Sequence, residues 1–443
     1  MSRRWFGTDG IRGVANTELT PELALAAARA ATRVLGSSEG ARILVGRDTR
    51  ESGPLLEAAV AAGVASAGGS AHLAGVIPTP GVSRLVAGGS FDGGIVISAS
   101  HNPYQDNGIK MLGADGKKLS DEREARIEAL MEDPGDPPVH VGSIVELSGS
   151  PSEYVDDLLG ALDVDLRGLR ILLDLAHGAT YEAAPIAFGA AGAHVETICA
   201  EPDGRNINAG CGSTDLSRLA GMVEQGDFDL GLAFDGDGDR VLAVDHRGRI
   251  VDGDQILTVL APWLKEKDRL ATQTVVVTSM SNLGFHKAME AAGIKVEVTD
   301  VGDRYVLERM EALGAVLGGE QSGHIIYLQA GVTGDGIQTG LLLAQAVRES
   351  GSPLAEIAGR MTHYPQVLLN VRVADKSRLA GSDEVWEAVE REQERLGSEG
   401  RVILRPSGTE SLVRVMVEAP TREYCDDVAR RLAGTVERAL AGR

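Results

Sequence analysis

Leu230-Gly231-Leu232-Ala233-Phe234-Asp235-Gly236-Asp237-Gly238-Asp239-Arg240 runs from a short apolar strand straight into a loop of alternating Asp and Gly. The strand Leu230–Phe234 closes a series that opens at Ile171-Leu172-Leu173. Between them lie a helical pattern near 180–191, a strand near 194–199 and a helix near 215–225. The same alternation occurs on either side. Upstream it runs through Ile43-Leu44-Val45, a helix near 53–67, His72–Val76, a helix near 80–88 and Ile95-Val96-Ile97. Downstream it runs through Val275-Val276-Val277, a helix near 283–292, Val296–Val298, a helix near 303–313 and a strand near 315–318. Strands alternating with helices predict mostly parallel sheets covered by helices.

From about residue 366 the pattern changes to strand (Val367–Val373), helix (383–396), two strands (402–405 and 411–418) and a last helix (421–441). That is an α+β unit. The expected fold is therefore three similar α/β domains with mostly parallel sheets, plus a smaller α+β C-terminal domain. Expected boundaries are 1–150, 151–254, 255–365 and 366–443. The glycine-containing polar loops follow strands, and in open α/β sheets ligands bind at the carboxyl ends of strands.

Composition narrows the class. With 43% apolar and 24% charged residues the 443-residue chain reads as an ordinary soluble globular protein, long enough for about three domains. Only 4% is aromatic, so the core rests on Ala, Val, Leu and Ile. The formal net charge of −21 argues against nucleic-acid binding, which needs a basic face. No stretch approaches the ~20 apolar residues of a membrane span. Ser2-Arg3-Arg4-Trp5-Phe6 has the look of a twin-arginine signal, but no apolar region follows, and it reads as the start of the folded domain. Three cysteines, Cys199, Cys211 and Cys425, without CxxC spacing, fit a reducing compartment and argue against zinc; the expected location is the cytoplasm.

Four loops carry candidate chemistry. Asp235, Asp237 and Asp239, spaced by glycines, can wrap one hard cation, and without one they repel each other. An EF-hand is excluded, because the sixth and twelfth positions are Arg240 and His246 instead of Gly and Glu. Mg²⁺ fits better than Ca²⁺ where a few carboxylates share the ion with phosphate oxygens. Ser98-Ala99-Ser100-His101-Asn102-Pro103 ends the strand Ile95–Ile97 and lacks the G-x-S-x-G of a serine hydrolase. Neighbouring side chains at a strand end point apart, so a Ser100–His101 pair is not expected; alone, the loop reads equally well as a turn. Arg405-Pro406-Ser407-Gly408-Thr409-Glu410, with Arg414 nearby, offers an arginine fork, two hydroxyls and a glycine backbone suited to phosphate. In isolation it reads better as a hairpin turn around Ser407-Gly408. Glu320 and Ser322, in Gly318-Gly319-Glu320-Gln321-Ser322-Gly323-His324, are two apart and can bind sugar hydroxyls from one side. Neither a P-loop nor a dinucleotide fingerprint is present, so ATP and NAD lack support.

In this order the motifs resemble the α-D-phosphohexomutase superfamily over essentially the whole chain. The resemblance takes in Phe6–Gly13, Gly46-Arg47-Asp48-Thr49-Arg50, the Ser100 loop, Asn107-Gly108-Ile109-Lys110 and the Asp235–Asp239 loop. It continues through Gly302-Asp303-Arg304, the Glu320 loop and the Arg405–Glu410 loop. It implies four domains around a central cleft. Ser98, where related phosphomannomutases and phosphoglucomutases often have Thr, and Asp203–Asp215 are similar to the glucosamine branch. His177 departs from the Asn common in relatives.

The resemblance further implies that Ser100, when phosphorylated, donates to glucosamine 6-phosphate. The product of that step is the 1,6-bisphosphate, which serves as intermediate and activator and yields glucosamine 1-phosphate. Asp235, Asp237, Asp239 and an oxygen on Ser100 would hold Mg²⁺. Arg405, Ser407, Gly408, Thr409 and Arg414 would grip the idle phosphate, and Glu320 and Ser322 the sugar. Lys110, His324 and His101 are candidates for moving the proton, with Lys110 favoured and His101 read as shaping the loop. Arg12 and Arg240 would stabilise the transferring charge. The expected partner is a phosphosugar, without nucleic acid or membrane, and a homodimer is compatible. The alternatives are the same chemistry on mannose or glucose phosphates, a serine hydrolase using Ser100, and a calcium-binding module.

Overall fold

Gly93–Ile97, Leu230–Phe234 and Thr274–Thr278 are buried at every residue, and each sits inside a sheet. They belong to a computed structural model that describes residues 4–7, 9–36, 40–133, 135, 138, 140–407 and 411–440. The chain divides into two compact units. One comprises Met1–Ser279 and Ile294–Gly359, and the other Met280–Gly293 and Arg360–Arg443.

The first unit holds three α/β sheets. The six-stranded sheet has the order Ile11–Val14, Asp106–Gly113, Gly93–Ile97, Arg42–Arg47, Ser70–Val76, Ser143–Glu146. Its first two pairings are antiparallel and the other three parallel. The five-stranded sheet has the order Ile250–Val251, Val241–Asp245, Leu230–Phe234, Arg170–Asp174, His194–Ile198, again antiparallel then parallel. The four-stranded sheet has the order Lys295–Thr299, Thr274–Thr278, Leu317–Gly319, Ile325–Tyr327, with only the last pairing antiparallel. The three α/β domains with mostly parallel strands are thus as the sequence predicts.

The apolar runs do not predict one feature of these sheets. In each, the strand that ends in a functional loop turns back as an antiparallel hairpin. Gly93–Ile97 returns as Asp106–Gly113, Leu230–Phe234 as Val241–Asp245, and Leu317–Gly319 as Ile325–Tyr327. The Ser100, Asp235 and Glu320 loops are therefore equivalent hairpin connections of three similar sheets.

Helices lock these sheets locally. Pro21–Leu35 is capped by Thr20, whose hydroxyl accepts from Leu23 N, and it buries an alanine face. That face lies against Gly53–Ser66 so closely that a Cβ on Gly63 would be 2.4 Å from Leu25 O. Gly336–Ser350 is buried on nearly all sides, as befits an internal helix. Its cap Asp335 accepts from Gln338 N and from the Tyr154 hydroxyl at 2.9 and 2.8 Å.

The second unit is a three-stranded antiparallel sheet, Gln366–Arg372, Leu412–Glu418, Arg401–Pro406. Helices Asp383–Leu396 and Arg422–Ala439 bury Val385, Val428 and Leu432 with Val413, Val415 and Val417. Helix Leu283–Ala291 belongs to this unit. Leu283 N donates to Glu418 Oε2 (3.1 Å) and Lys287 Nζ to Glu399 Oε1 (2.6 Å). Among the described residues no helix is long and apolar enough to cross a membrane.

Candidate active site

Ser100 sits at a left-handed backbone position, φ 53°, directly after the buried strand Gly93–Ile97. For a residue with a β-carbon this conformation is costly and persists only where the surroundings impose it. Here they do. Ser100 N donates to Ser98 Oγ (3.0 Å), and Ser98 Oγ donates to Asp48 Oδ2 (2.5 Å). Asp48 is also paired with Arg50 Nε at 2.8 Å. The fully buried Arg50 guanidinium then binds the carbonyls of Ser100, Asn102, Pro103 and Asp106. Asn208 Nδ2 donates to the Ser100 and Asn102 carbonyls at 2.9 and 3.2 Å. Asn208 thus supports the loop, and the Gly46–Arg50 motif exists locally to hold it.

The turn also corrects one expectation. Ser100 Oγ lies 3.2 Å from His101 Nδ1, because the left-handed residue brings neighbouring side chains to one side. The same hydroxyl donates to Asp235 Oδ2 at 2.6 Å. Burial, followed by the charges of Arg240 and Arg12, holds His101 below its ordinary value, toward the neutral imidazole.

Asp235, Asp237 and Asp239 are all buried, with carboxylate oxygens within 4.8 Å of one another. Gly236 lets this loop meet the Ser100 loop, since a Cβ there would be 2.5 Å from Ser100 O. Asp237 Oδ2 accepts from Thr79 Oγ1 (2.6 Å) and Lys110 Nζ (2.7 Å). Asp237 Oδ1 and Asp239 Oδ1 are buried and accept no hydrogen bond. Burial and the Asp239 and Asp237 charges push Asp235 well above the usual carboxylate range. Burial acts upward on Asp239 too, but His324, Lys110 and Arg240 hold it well below. Orphaned buried oxygens and mutual repulsion are what a hard divalent cation relieves, and an all-oxygen donor set suits one. The residues fit a metal.

Around the carboxylates stands a ring of paired charges. Lys110 Nζ is 3.5 Å from Asp9 Oδ2 and 3.9 Å from Asp239 Oδ2. Burial works against its charge, yet Asp237, Asp9 and Asp239 hold the ammonium firmly protonated. Arg12 pairs with Asp9, and its Nε is buried without a hydrogen bond, as is Arg240 Nε. His324 Nδ1 is 3.5 Å from Asp239 Oδ2, and its Nε2 accepts from Gly334 N at 3.2 Å. The nearby carboxylates would raise His324 despite its burial, but an Nε2 lone pair taken by an N–H is that of a neutral ring. Glu320, whose charge acts on Arg240 and His324, and Ser322, whose buried Oγ makes no hydrogen bond, complete this side.

Lys118 carries no sequence signal, yet it bridges Asp9 Oδ1 (2.6 Å) and Asp303 Oδ2 (2.7 Å). With His324 Nε2 3.7 Å from Asp303 it links the first and third sheets' loops. Thr79 was likewise not foreseen. A cleft of about 370 Å³ opens here, lined among others by Lys110, Lys118, Asp239, Asp303 and Arg304.

In the second unit Arg405 and Arg414 lie directly opposite each other on antiparallel strands. Like charges so placed are destabilising unless an anion or acidic group joins them. Arg414 Nε is buried without a hydrogen bond, and Lys376 Nζ donates to Ser407 O at 2.6 Å. The expected Gly408 and Thr409 lie outside the described residues.

Comparison with known proteins shows the family of the chain. Models for the phosphoglucomutase/phosphomannomutase family match in sequence. Alpha/beta/alpha domains I, II and III match residues 3–136, 152–248 and 252–364, and the C-terminal domain matches 368–435. The chain is similar to proteins named phosphoglucosamine mutase. It is 50% identical to that of Geobacillus thermodenitrificans, covering 99% of both chains. With that of Saccharopolyspora erythraea the identity is 52%, covering 98% of this chain and 99% of the other. A crystal structure of a phosphoglucomutase/phosphomannomutase family protein from Burkholderia thailandensis superposes with a TM-score of 0.82 at 24% identity, covering 98% and 96%. The chain belongs to the phosphoglucomutase/phosphomannomutase family of phosphohexomutases, in the branch of the phosphoglucosamine mutases.

Proposed function

We propose that this phosphohexomutase interconverts glucosamine 6-phosphate and glucosamine 1-phosphate through phosphorylated Ser100. The observation that carries the reading is Ser100 Oγ, fixed on a left-handed turn 2.6 Å from the first of three clustered carboxylates. Phosphoryl transfer is catalysed mainly by positioning and by charge stabilisation, and both are built into this loop pair. In the forward half, the bond from phosphorus to Ser100 Oγ breaks as one forms to the C1 oxygen of glucosamine 6-phosphate. The C1 hydroxyl loses its proton, and the enzyme carries the 1,6-bisphosphate. In the second half, phosphorus leaves the C6 oxygen, which regains a proton, and the bond to Ser100 Oγ is restored.

Asp235, Asp237 and Asp239, with an oxygen on Ser100, would hold Mg²⁺, which when bound supplies positive charge to the transferring group. Arg12 and Arg240 offer further cationic donors to the same group. Lys110, held protonated, suits charge stabilisation and proton donation. Neutral His101, beside Ser100 Oγ, is the acceptor in reach, while His324 orients Asp239 through Nδ1. Glu320 and Ser322 take the sugar hydroxyls in either orientation. Arg405, Ser407 and Arg414, with Gly408 and Thr409, grip the phosphate that is not reacting. These roles assign the phosphoserine, metal, sugar and phosphate loops to domains 1–150, 151–254, 255–365 and 366–443. The reading places the enzyme in the cytoplasm, where its three free thiols are stable.

Ser100→Ala tests the mechanism. Turnover with added bisphosphate falls by at least about 10⁴-fold, and phosphoryl incorporation from labelled bisphosphate is lost. Near-normal turnover would sink it. Sugar choice is tested by kcat/KM for glucosamine, glucose and mannose 6-phosphates on phosphorylated enzyme. A preference for a 2-hydroxy sugar would move the chain to the phosphomannomutase/phosphoglucomutase reaction.

A further inference from the structure

The linear spacing of the cysteines argues against a thiol metal site, but the fold gathers two of them. Cys199, at the end of His194–Ile198, and Cys211, before Gly212–Thr214, meet His177 from the loop after Arg170–Asp174. The donor atoms of the three side chains lie within 4.8 Å of one another. Both cysteines are buried and form no disulfide. His177 Nδ1 is buried and makes no hydrogen bond, an orphan that a well-packed loop would not keep without a partner. Three residues here have left-handed backbone, Ala176 (φ 51°), His177 (φ 48°) and Cys199 (φ 52°). Non-glycine residues adopt such backbone only where the fold imposes it.

We propose that His177, Cys199 and Cys211 form a site for a thiophilic divalent cation of the zinc class, separate from the carboxylate site. Two sulfurs and one imidazole nitrogen are a recurrent zinc donor set, with water in the fourth position. On binding, each thiol proton leaves to solvent, so one divalent ion replaces two protons. Among the described residues three other charged groups act on the cluster, Asp174, Arg218 and Asp203, the last through its charge interaction with His177. Asp174 has its carboxylate engaged by Ala176 N and Gly212 N at 3.0 Å each, and Arg218 Nη1 is 3.7 Å from Cys199 Sγ. Burial, followed by the charge of Asp174, raises both thiols above their ordinary value.

The site would brace the catalytic loop from behind. His177 O accepts from Thr49 Oγ1 at 2.5 Å, and Ala176 O accepts from Asn208 N at 2.9 Å. Asn208 in turn holds the carbonyls of Ser100 and Asn102. An ion joining the three loops would fix the residues that fix Ser100.

The test is cobalt substitution in the full chain after removal of bound metal. Thiolate-to-cobalt charge transfer gives a near-ultraviolet band that an all-carboxylate site cannot produce. One equivalent of Co²⁺ is expected to generate it, and Zn²⁺ to abolish it by displacement. Cys211→Ser and His177→Ala are each expected to weaken Zn²⁺ binding by at least about tenfold. His177 is only partly buried, so its variant carries the test if Cys211→Ser does not fold, as judged by circular dichroism. Absence of the band in the wild-type chain, or Zn²⁺ affinity within twofold of wild type in folded His177→Ala, would overturn the proposal.

Discussion

The Ser100 and Glu320 loops occupy the same place in two similar sheets, each joining the strands of an antiparallel hairpin, yet they are built in opposite ways. Around Ser100 nearly every polar group is engaged. Arg50 binds four carbonyls, Asn208 two, and Ser98 and Asp48 fix the backbone amide. Around Glu320 the backbone closes its own turn through Glu320 N to His324 O, while Ser322 Oγ is left with no hydrogen bond. A loop that must present one atom in one place is over-determined by buried charge. On the proposed reading, a loop that accepts a sugar in two orientations keeps hydrogen-bonding capacity in reserve.

The sharpest way to break this contrast is Arg50→Met. It removes the guanidinium's bonds to four carbonyls and leaves the buried Asp48 without its counter-charge, a loss of about 3–5 kcal/mol. Chemical denaturation reads the stability loss, and turnover falls by at least ~10²-fold with Ser100 itself intact. Unchanged turnover would show that the clamp does not position Ser100. Cation binding comes next. Mg²⁺ at a hundred times its Kd raises unfolding free energy by about 2.7 kcal/mol, and Asp237→Asn cancels most of that gain. A melting temperature indifferent to Mg²⁺ would remove the ion from the Ser100 side. On the Glu320 side Ser322→Ala costs one ligand hydrogen bond, ~0.5–1.5 kcal/mol. KM rises up to about tenfold with little change in stability; a large drop in melting temperature instead would mean that the hydroxyl is structural.

The smallest effect concerns the Lys118–Asp303 pair, which links the first and third sheets. Burial acts to raise Asp303, yet the Lys118 ammonium holds it below its ordinary value. A depressed carboxylate contributes stability above its unfolded pKa of about 3.9 and loses it as pH falls through the folded value. Lys118→Met therefore lowers stability at neutral pH and shrinks the further loss on acidification below about pH 4. An unchanged acid limb in equilibrium unfolding would show that the pair is not coupled to folding.

Much of this was legible in one sequence because the buried central strands are continuous apolar runs that end in polar loops. Gly93–Ile97, Leu230–Phe234 and the C-terminal hairpin emerge that way. Two of the three returning strands do not. Asp106–Gly113 carries Asp106, Asn107 and Lys110, and Ile325–Tyr327 is only three residues long, so neither shows a usable period. Gly336–Ser350 hides for the opposite reason, since burial on nearly all sides erases the stripe that marks a surface helix. The Ser100–His101 contact depends on one backbone angle, and Lys118, Thr79 and the His177–Cys199–Cys211 cluster depend on tertiary proximity alone.

The three hairpins set a rule for how this enzyme can be altered. Each functional loop is anchored at both ends by strands that pair with each other, and side chains alternate strictly along those strands. Inserting one residue into the Ser100, Asp235 or Glu320 loop would have to be absorbed by a bulge, or it would slip the returning strand and turn its inward side chains outward, Lys110 among them. On the proposed roles, sugar choice in this architecture is open to substitution and closed to insertion and deletion in these loops.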